Sequence, residues 1–227
     1  MIVDVWFSYL CPLSYMHLFT IHHVKQVYGP RVDVRWHPYG WQLASAPQTR
    51  DDYQRRSSLW DTLFLPAAAE RGFNLRKPLF YPKTDKALEL MVYADRVGAF
   101  DAVHRAIFEA VFEHSLDISD LDVLSDVGDA CGLDNGVVRG ILQSGIYEAE
   151  VIRRRAFSRV DGVQGLPHTK ITRSENARGG APSSVVLKGL APFRHFHMAV
   201  TELFPDGFQS TPKALNGRAT SIQMRRQ

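Results

Sequence analysis

The chain has 227 residues, 45% apolar and 22% charged, the balance of one compact globular unit or of one domain carrying a sizeable insertion. Two cysteines exclude a disulfide framework, and no apolar run nears the roughly 20 residues that a membrane-spanning helix needs. The net charge of +3 comes from the far end, where Lys213, Arg218, Arg225 and Arg226 follow Gly207 without an acid; the rest holds 23 basic and 24 acidic residues, which argues against a nucleic-acid-binding body.

Met1 leads straight into Ile2-Val-Asp-Val-Trp-Phe7, a β-branched and aromatic run that predicts a strand buried on both faces. No signal peptide is expected there, and with so few cysteines the expected compartment is the reducing cytoplasm. Pro12 stands where a helix takes its first residue. Leu13, Met16, Thr20 and Val24 share one face of that helix before Tyr28-Gly29-Pro30 stops it. Arg31 to His37 alternates polar and apolar residues as a second strand ended by Pro38. Strand, helix and strand in so short a span make a βαβ unit with parallel strands.

From Asp51 to about Val160 the helical period dominates. Ala87, Leu90, Met91 and Ala94 form one stripe, and Phe100, Val103, Ile107, Ala110 and Val111 form another. Ser119 in "SDLD" is the expected cap of a further helix, and Asp134-Asn135 and Ser144-Gly145 punctuate two shorter ones. The segment reads as an all-helical insertion. Asp161 to Arg173 and Ser183 to Gly189 then read as a β-hairpin around a Gly-rich loop. Pro192 opens a last amphipathic helix, with Phe193, Phe196, Ala199, Val200 and Leu203 apolar, that stops at Pro205. The expected divisions are 1–48 and 161–204 for the two halves of an α/β domain, 49–160 for the insertion, and 205–227 for a basic, disordered tail.

Two corners of this β-α-β, insertion, β-β-α order carry chemistry. "YLCPLSYM" places Cys11 at the first strand-to-helix turn, where unpaired N–H groups and the helix dipole favour a thiolate. "GVQGLPHT" (Gly162 to Thr169) lies just before the hairpin. Together they resemble the DsbA-like branch of the thioredoxin-like fold, which carries Cys-Pro-x-Cys at the first corner and Gly-Val-x-Gly-x-Pro with a cis proline at the second. "VRWHPYGWQL" and His114 to Asp134 resemble the FrnE and 2-hydroxychromene-2-carboxylate isomerase branch. The resemblance runs from Ile2 to about Phe204.

It implies a thioredoxin-like α/β fold with an inserted all-helical domain, and a thiol-disulfide oxidoreductase with Cys11 as nucleophile. Ser14 stands where such enzymes have their second cysteine, and a hydroxyl cannot form a disulfide. One alternative is an isomerase or transferase assisted by a thiol cofactor, because glutathione-dependent members read Ser-Pro-Tyr-Ser-Tyr at this corner. Another is a non-catalytic binding protein. The expected site is Cys11 and Ser14, with Pro12, Tyr15, Trp41, Leu166, Pro167 and His168 around the ligand. Pro167 is the expected cis proline and Pro182 its rival.

Tyr9, Tyr39 and Trp41 form an aromatic rim at the strands' carboxyl ends. The implied partners are a small thiol such as glutathione, not tightly bound, or a small aromatic substrate; a homodimer is left open. Cys131, in register with Leu124 and Val127, reads as a core cysteine. Arg153 to Arg155 read as a solvated surface. His22-His23 and His195-x-His197 lack the neighbouring acids or cysteines of a metal site.

Overall fold

A computed structural model describes residues 1–39, 57–78, 81–160, 162–173, 184–205 and 208. Trp41, Pro182, residues 51–56 and most of the basic tail lie outside them.

Strand β1 (Ile2–Phe7) pairs in parallel with β2 (Asp33–Pro38), Val5 opposite Trp36. On its other side it pairs antiparallel with β3 (His168–Thr172), Val5 opposite Thr169, and β3 pairs antiparallel with β4 (Ser184–Lys188). The sheet order is β2-β1-β3-β4. Helix α1 (Pro12–Tyr28) joins β1 to β2, and α8 (Phe193–Leu203) follows β4. The β-α-β and β-β-α halves are therefore one sheet, with β1 and β3 at its centre.

Between β2 and β3 the described elements are helical. A π-helical turn at Trp60–Phe64 runs into α2 (Leu65–Ala69). Then come α3 (Asp85–Arg96), α4 (Phe100–Phe112), α5 (Leu121–Ala130), α6 (Asn135–Ser144) and α7 (Glu148–Val160). The periodic stripes are buried as the spacing predicts, with Ala87, Leu90, Met91, Ala94, Val103 and Ile107 fully covered, except that Phe100 is half-buried. The cap of α5 is one residue later than expected. Asp120 accepts the N–H of Asp122 at 2.8 Å, while Ser119 donates its own N–H and hydroxyl to Asp117. The Ser119 hydroxyl is engaged with Asp117, which leaves the Asp120 carboxylate to cap the helix.

The core has two parts, and α1 belongs to both. Its last turns put Ile21, Val24 and Tyr28 against Val3, Val5 and Ile171 of the sheet and against Phe196, Ala199 and Val200 of α8. Its first turns put Tyr15 and Met16 into a larger cluster with Phe7, Tyr9 and the insertion helices. Tyr15 stacks on Phe108 and Phe112 of α4.

Two expectations need adjustment here. In α1, Leu13 and Thr20 are only half-buried, while the polar Ser14 and His17 are inside. In β1, Val3, Val5 and Phe7 are fully covered but Ile2 and Asp4 keep some exposure. Asp4 sits on the opposite sheet face, where it meets His37 Nε2 at 2.8 Å. The arginine run ties helices together: Arg154 bonds Asp95 and Glu150 at 3.0 Å each, and Arg155 bonds Asp85 and Thr84, joining α7 to α3.

Candidate functional site

The chain leaves β1 at Phe7 and turns within a few residues into α1. Ser8 organises that turn by taking the N–H of Cys11 on its carbonyl at 3.0 Å and the N–H of Leu10 on its hydroxyl at 3.2 Å. Cys11 is the N-cap residue in extended conformation, and its carbonyl accepts from Ser14 and Tyr15 at 3.0 and 3.2 Å. No side chain caps the helix, so its first turn presents N–H groups toward the sulfur. Pro12 supplies the fixed φ of the first helical residue without a wasted donor.

On the facing side, Gly162 to Pro167 lead into β3, and the Leu166-Pro167 peptide bond is cis. The Pro167 carbonyl is occupied by the N–H of Gly189 at 2.8 Å. The Leu166 carbonyl instead faces Cys11, whose thiol donates to it over 3.8 Å. Cys11, Ser14, Leu166 and Pro167 thus come together from positions more than 150 residues apart in sequence.

The electrostatics of Cys11 differ from expectation. The residue as a whole is half-buried, yet protein surrounds its sulfur, and this burial raises the thiol above its ordinary value. The Ser14 hydroxyl and the N–H groups of Ser14 and Leu13 pull the other way without overcoming it. The N–H groups at the helix start favour the thiolate, as predicted, but loss of hydration outweighs them.

Ser14 is 1% exposed and its hydroxyl oxygen has no well-formed hydrogen bond. It is nevertheless near enough to the Cys11 sulfur to pull its thiol downward.

Tyr15, expected at the ligand, is fully buried with its hydroxyl donating to Glu113, so it joins α1 to the end of α4. His168 directly follows the cis proline and is mostly buried, edge-on to Trp6 with ring centres 5.3 Å apart. Of the expected aromatic rim, Tyr9 is buried and bonds His104 Nδ1 at 2.8 Å, while Tyr39 is half-buried and donates to the Val163 carbonyl at 2.8 Å. Trp41 lies outside the described residues.

Cys131 closes α5, half-buried against the insertion core near Val127, and both cysteines are free. Sequence reasoning missed His17 and His104. Both are fully buried, and burial lowers them to about 4 and about 3, so they are neutral at ordinary pH. The signal for His17 was its place three residues after Ser14 on the inward face of α1.

A cavity of about 460 Å³ lies between β2 and α7 and is lined in part by Trp36, His37, Phe100, Arg154 and Phe157. Arg154 on its wall is already engaged by Asp95 and Glu150, and the described lining holds no cysteine or serine. Among the described residues no group of three or more His, Cys, Asp or Glu could hold a metal ion, and no helix is long and apolar enough to cross a membrane.

Residues 2–190 match the DSBA-like thioredoxin domain family. Among curated proteins, YwbO of Bacillus subtilis, itself uncharacterized, is 24% identical over 149 residues, covering 64% of this chain and 74% of that protein. Among solved structures, a probable DsbA oxidoreductase from Streptomyces coelicolor superposes with a TM-score of 0.71 at 18% identity, covering 98% of this chain and 97% of that one. A 2-hydroxychromene-2-carboxylate isomerase superposes with a TM-score of 0.70 at 17% identity, covering 91% and 97%. The cytosolic disulfide reductase DsbM from Pseudomonas aeruginosa gives 0.68 at 17%, covering 89% and 100%, and it has also been solved with GSH.

Proposed function

This chain belongs to the DSBA-like thioredoxin domain family, and on that premise we propose that it is a monothiol oxidoreductase acting through Cys11 with a low-molecular-weight thiol of the glutathione type. The observation that carries this reading is the pairing of the Cys11 thiol at the start of α1 with the Leu166 carbonyl, and no second thiol at position 14.

In the forward step the Cys11 thiol gives up its proton and the thiolate attacks one sulfur of a disulfide. One S–S bond forms at Cys11, the other breaks, and a thiolate leaves. A second small thiol then attacks the mixed disulfide, carries away the partner sulfur as a new disulfide and returns Cys11 to the reduced form. The electrons balance between the two small molecules. Ser14 cannot take part in the exchange, but its hydroxyl can donate to the incoming or leaving sulfur. Because burial raises the thiol, a bound ligand has to favour the thiolate, and the N–H groups of Leu13 and Ser14 that face the sulfur act in that direction.

A second reading follows from the same raised thiol and from the orphan Ser14 hydroxyl. In it Cys11 and Ser14 hold the sulfur of a bound thiol cofactor, and an isomerisation runs with its help; one structural neighbour is an isomerase. Cytoplasmic location is part of both readings, because a free monothiol is maintained in a reducing pool.

Oxidised glutathione separates the two. The first reading expects a mass adduct at Cys11 that dithiothreitol removes and Cys11→Ser abolishes. An unmodified Cys11, with reduced glutathione still bound as seen by calorimetry, would overturn it in favour of the second.

A further inference from the structure

His17 occupies an unusual place for an imidazole. It lies six residues after Cys11 on the inward face of α1, is 0% exposed, and its Nε2 is 2.8 Å from the Thr169 hydroxyl, which is 1% exposed. Its Nδ1 has no partner among the described residues. A leucine would fill such a position without burying a polar nitrogen, so the imidazole costs desolvation that packing alone does not require.

Thr169 lies two residues beyond the cis proline, in β3, paired with Val5 of β1 and Leu187 of β4. The bond therefore runs from the helix that carries Cys11 to the strand that anchors Leu166. The thiol contact at 3.8 Å is too long and too weak to hold those two elements in register by itself. His17 is neutral at ordinary pH, so the strut is a neutral hydrogen bond in a dry site.

We infer that His17 is a positioning residue: through Thr169 it sets the placement of the Cys11 sulfur relative to the Leu166 carbonyl, and so the line along which a disulfide ligand lies. The inference rests on the exchange reading of the Cys11 corner.

Thr169→Val removes the hydroxyl with little change of shape, Thr169→Ser restores it, and His17→Leu removes the other end. Two quantities are read for each: the pH profile of Cys11 alkylation, and the rate of adduct formation with oxidised glutathione relative to alkylation at the same pH. Val138→Ala, a core truncation in α6, controls for general loss of stability.

Thr169→Val and His17→Leu are expected to move the alkylation profile to lower pH, because the thiol loses the carbonyl that favours S–H. They are also expected to lower the relative adduct rate roughly tenfold or more, the scale of an ångström-sized misplacement. Thr169→Ser and Val138→Ala are expected to match the parent in both.

A parent-like profile and rate ratio in Thr169→Val overturns the positioning role, as does an equal change in Val138→Ala. Should His17→Leu fail to fold, the Thr169 pair decides. If the parent forms no glutathione adduct, the exchange reading fails, while the alkylation profiles still show whether the strut places the sulfur.

Discussion

The Tyr9 hydroxyl and His104 Nδ1 lie 2.8 Å apart in the core and join the turn before Cys11 to helix α4 of the insertion. Four aromatic rings, Phe7, Trp36, Phe100 and Phe108, surround the imidazole with ring centres within about 5.2 Å of it. Its Nε2 has no partner, so the Tyr9 bond is the one polar contact found for this side chain among the described residues.

Tyr9→Phe removes that contact and leaves both imidazole nitrogens buried and unpaired. The expected loss is about 1–3 kcal/mol of folding free energy, read from urea unfolding at neutral pH. A loss below about 0.5 kcal/mol would show that the contact contributes little.

Acid should destabilise the fold earlier than carboxylate titration alone would. Above the ordinary histidine value, 6.5, His17 and His104 are neutral in both folded and unfolded chains. Below it the unfolded chain takes up protons that the folded one refuses until about 4 and about 3, so stability falls as pH falls through this window. Each site contributes about 1.4 kcal/mol per pH unit, or roughly 3 for the pair. Urea unfolding at several values between about pH 6.5 and 5 measures the slope, and a flat line there contradicts the burial of both rings.

At position 14 two substitutions act in opposite directions. Ser14→Ala removes a group that lowers the Cys11 thiol, so alkylation at neutral pH should slow and its profile move upward. Ser14→Cys supplies the missing second thiol. After treatment with oxidised glutathione, the parent should retain the mixed disulfide and the variant should shed it, forming a Cys11–position 14 disulfide visible by mass. Persistence of the adduct in Ser14→Cys would show that position 14 cannot reach the sulfur.

Helices α5 and α6 meet at Gly128. An added Cβ there would come within 2.9 Å of a methyl of the buried Val138. Alanine ordinarily stabilises a helix interior by about 1 kcal/mol over glycine, but here overpacking should reverse the sign and destabilise by about 1–3 kcal/mol. In the Gly128→Ala background, Val138→Ala should cost clearly less than it does alone. Additive losses would mean that the two side chains do not compete for the same space.

Much of the architecture was legible from local pattern. The Ile2 to Phe7 run, Pro12 at a helix start, the stripes of Ala87 to Ala94 and Val103 to Val111, and the hairpin after Pro167 each depend on neighbours within a few residues. The position of Cys11 at a strand-to-helix turn was legible for the same reason. Less legible were the roles of Tyr15 and Tyr9, which read as ligand-facing aromatics and are core members. An aromatic residue near a motif carries no mark of which way it points, and only the packing of α4 against α1 turned both inward.

By itself the sequence determined the order of elements and the kind of atom available for chemistry: one sulfur at the start of α1, a hydroxyl in place of a second one, and a proline loop before β3. Hydrophobic period, turn residues and the identity of position 14 are local properties, so a linear reading holds them. The tertiary structure decided what those atoms experience. It brought Leu166 to Cys11 across 155 positions, raised the thiol that the helix start was expected to lower, and buried two histidines in neutral form. Desolvation depends on which distant segments close over a group, and no local pattern in the chain encodes that.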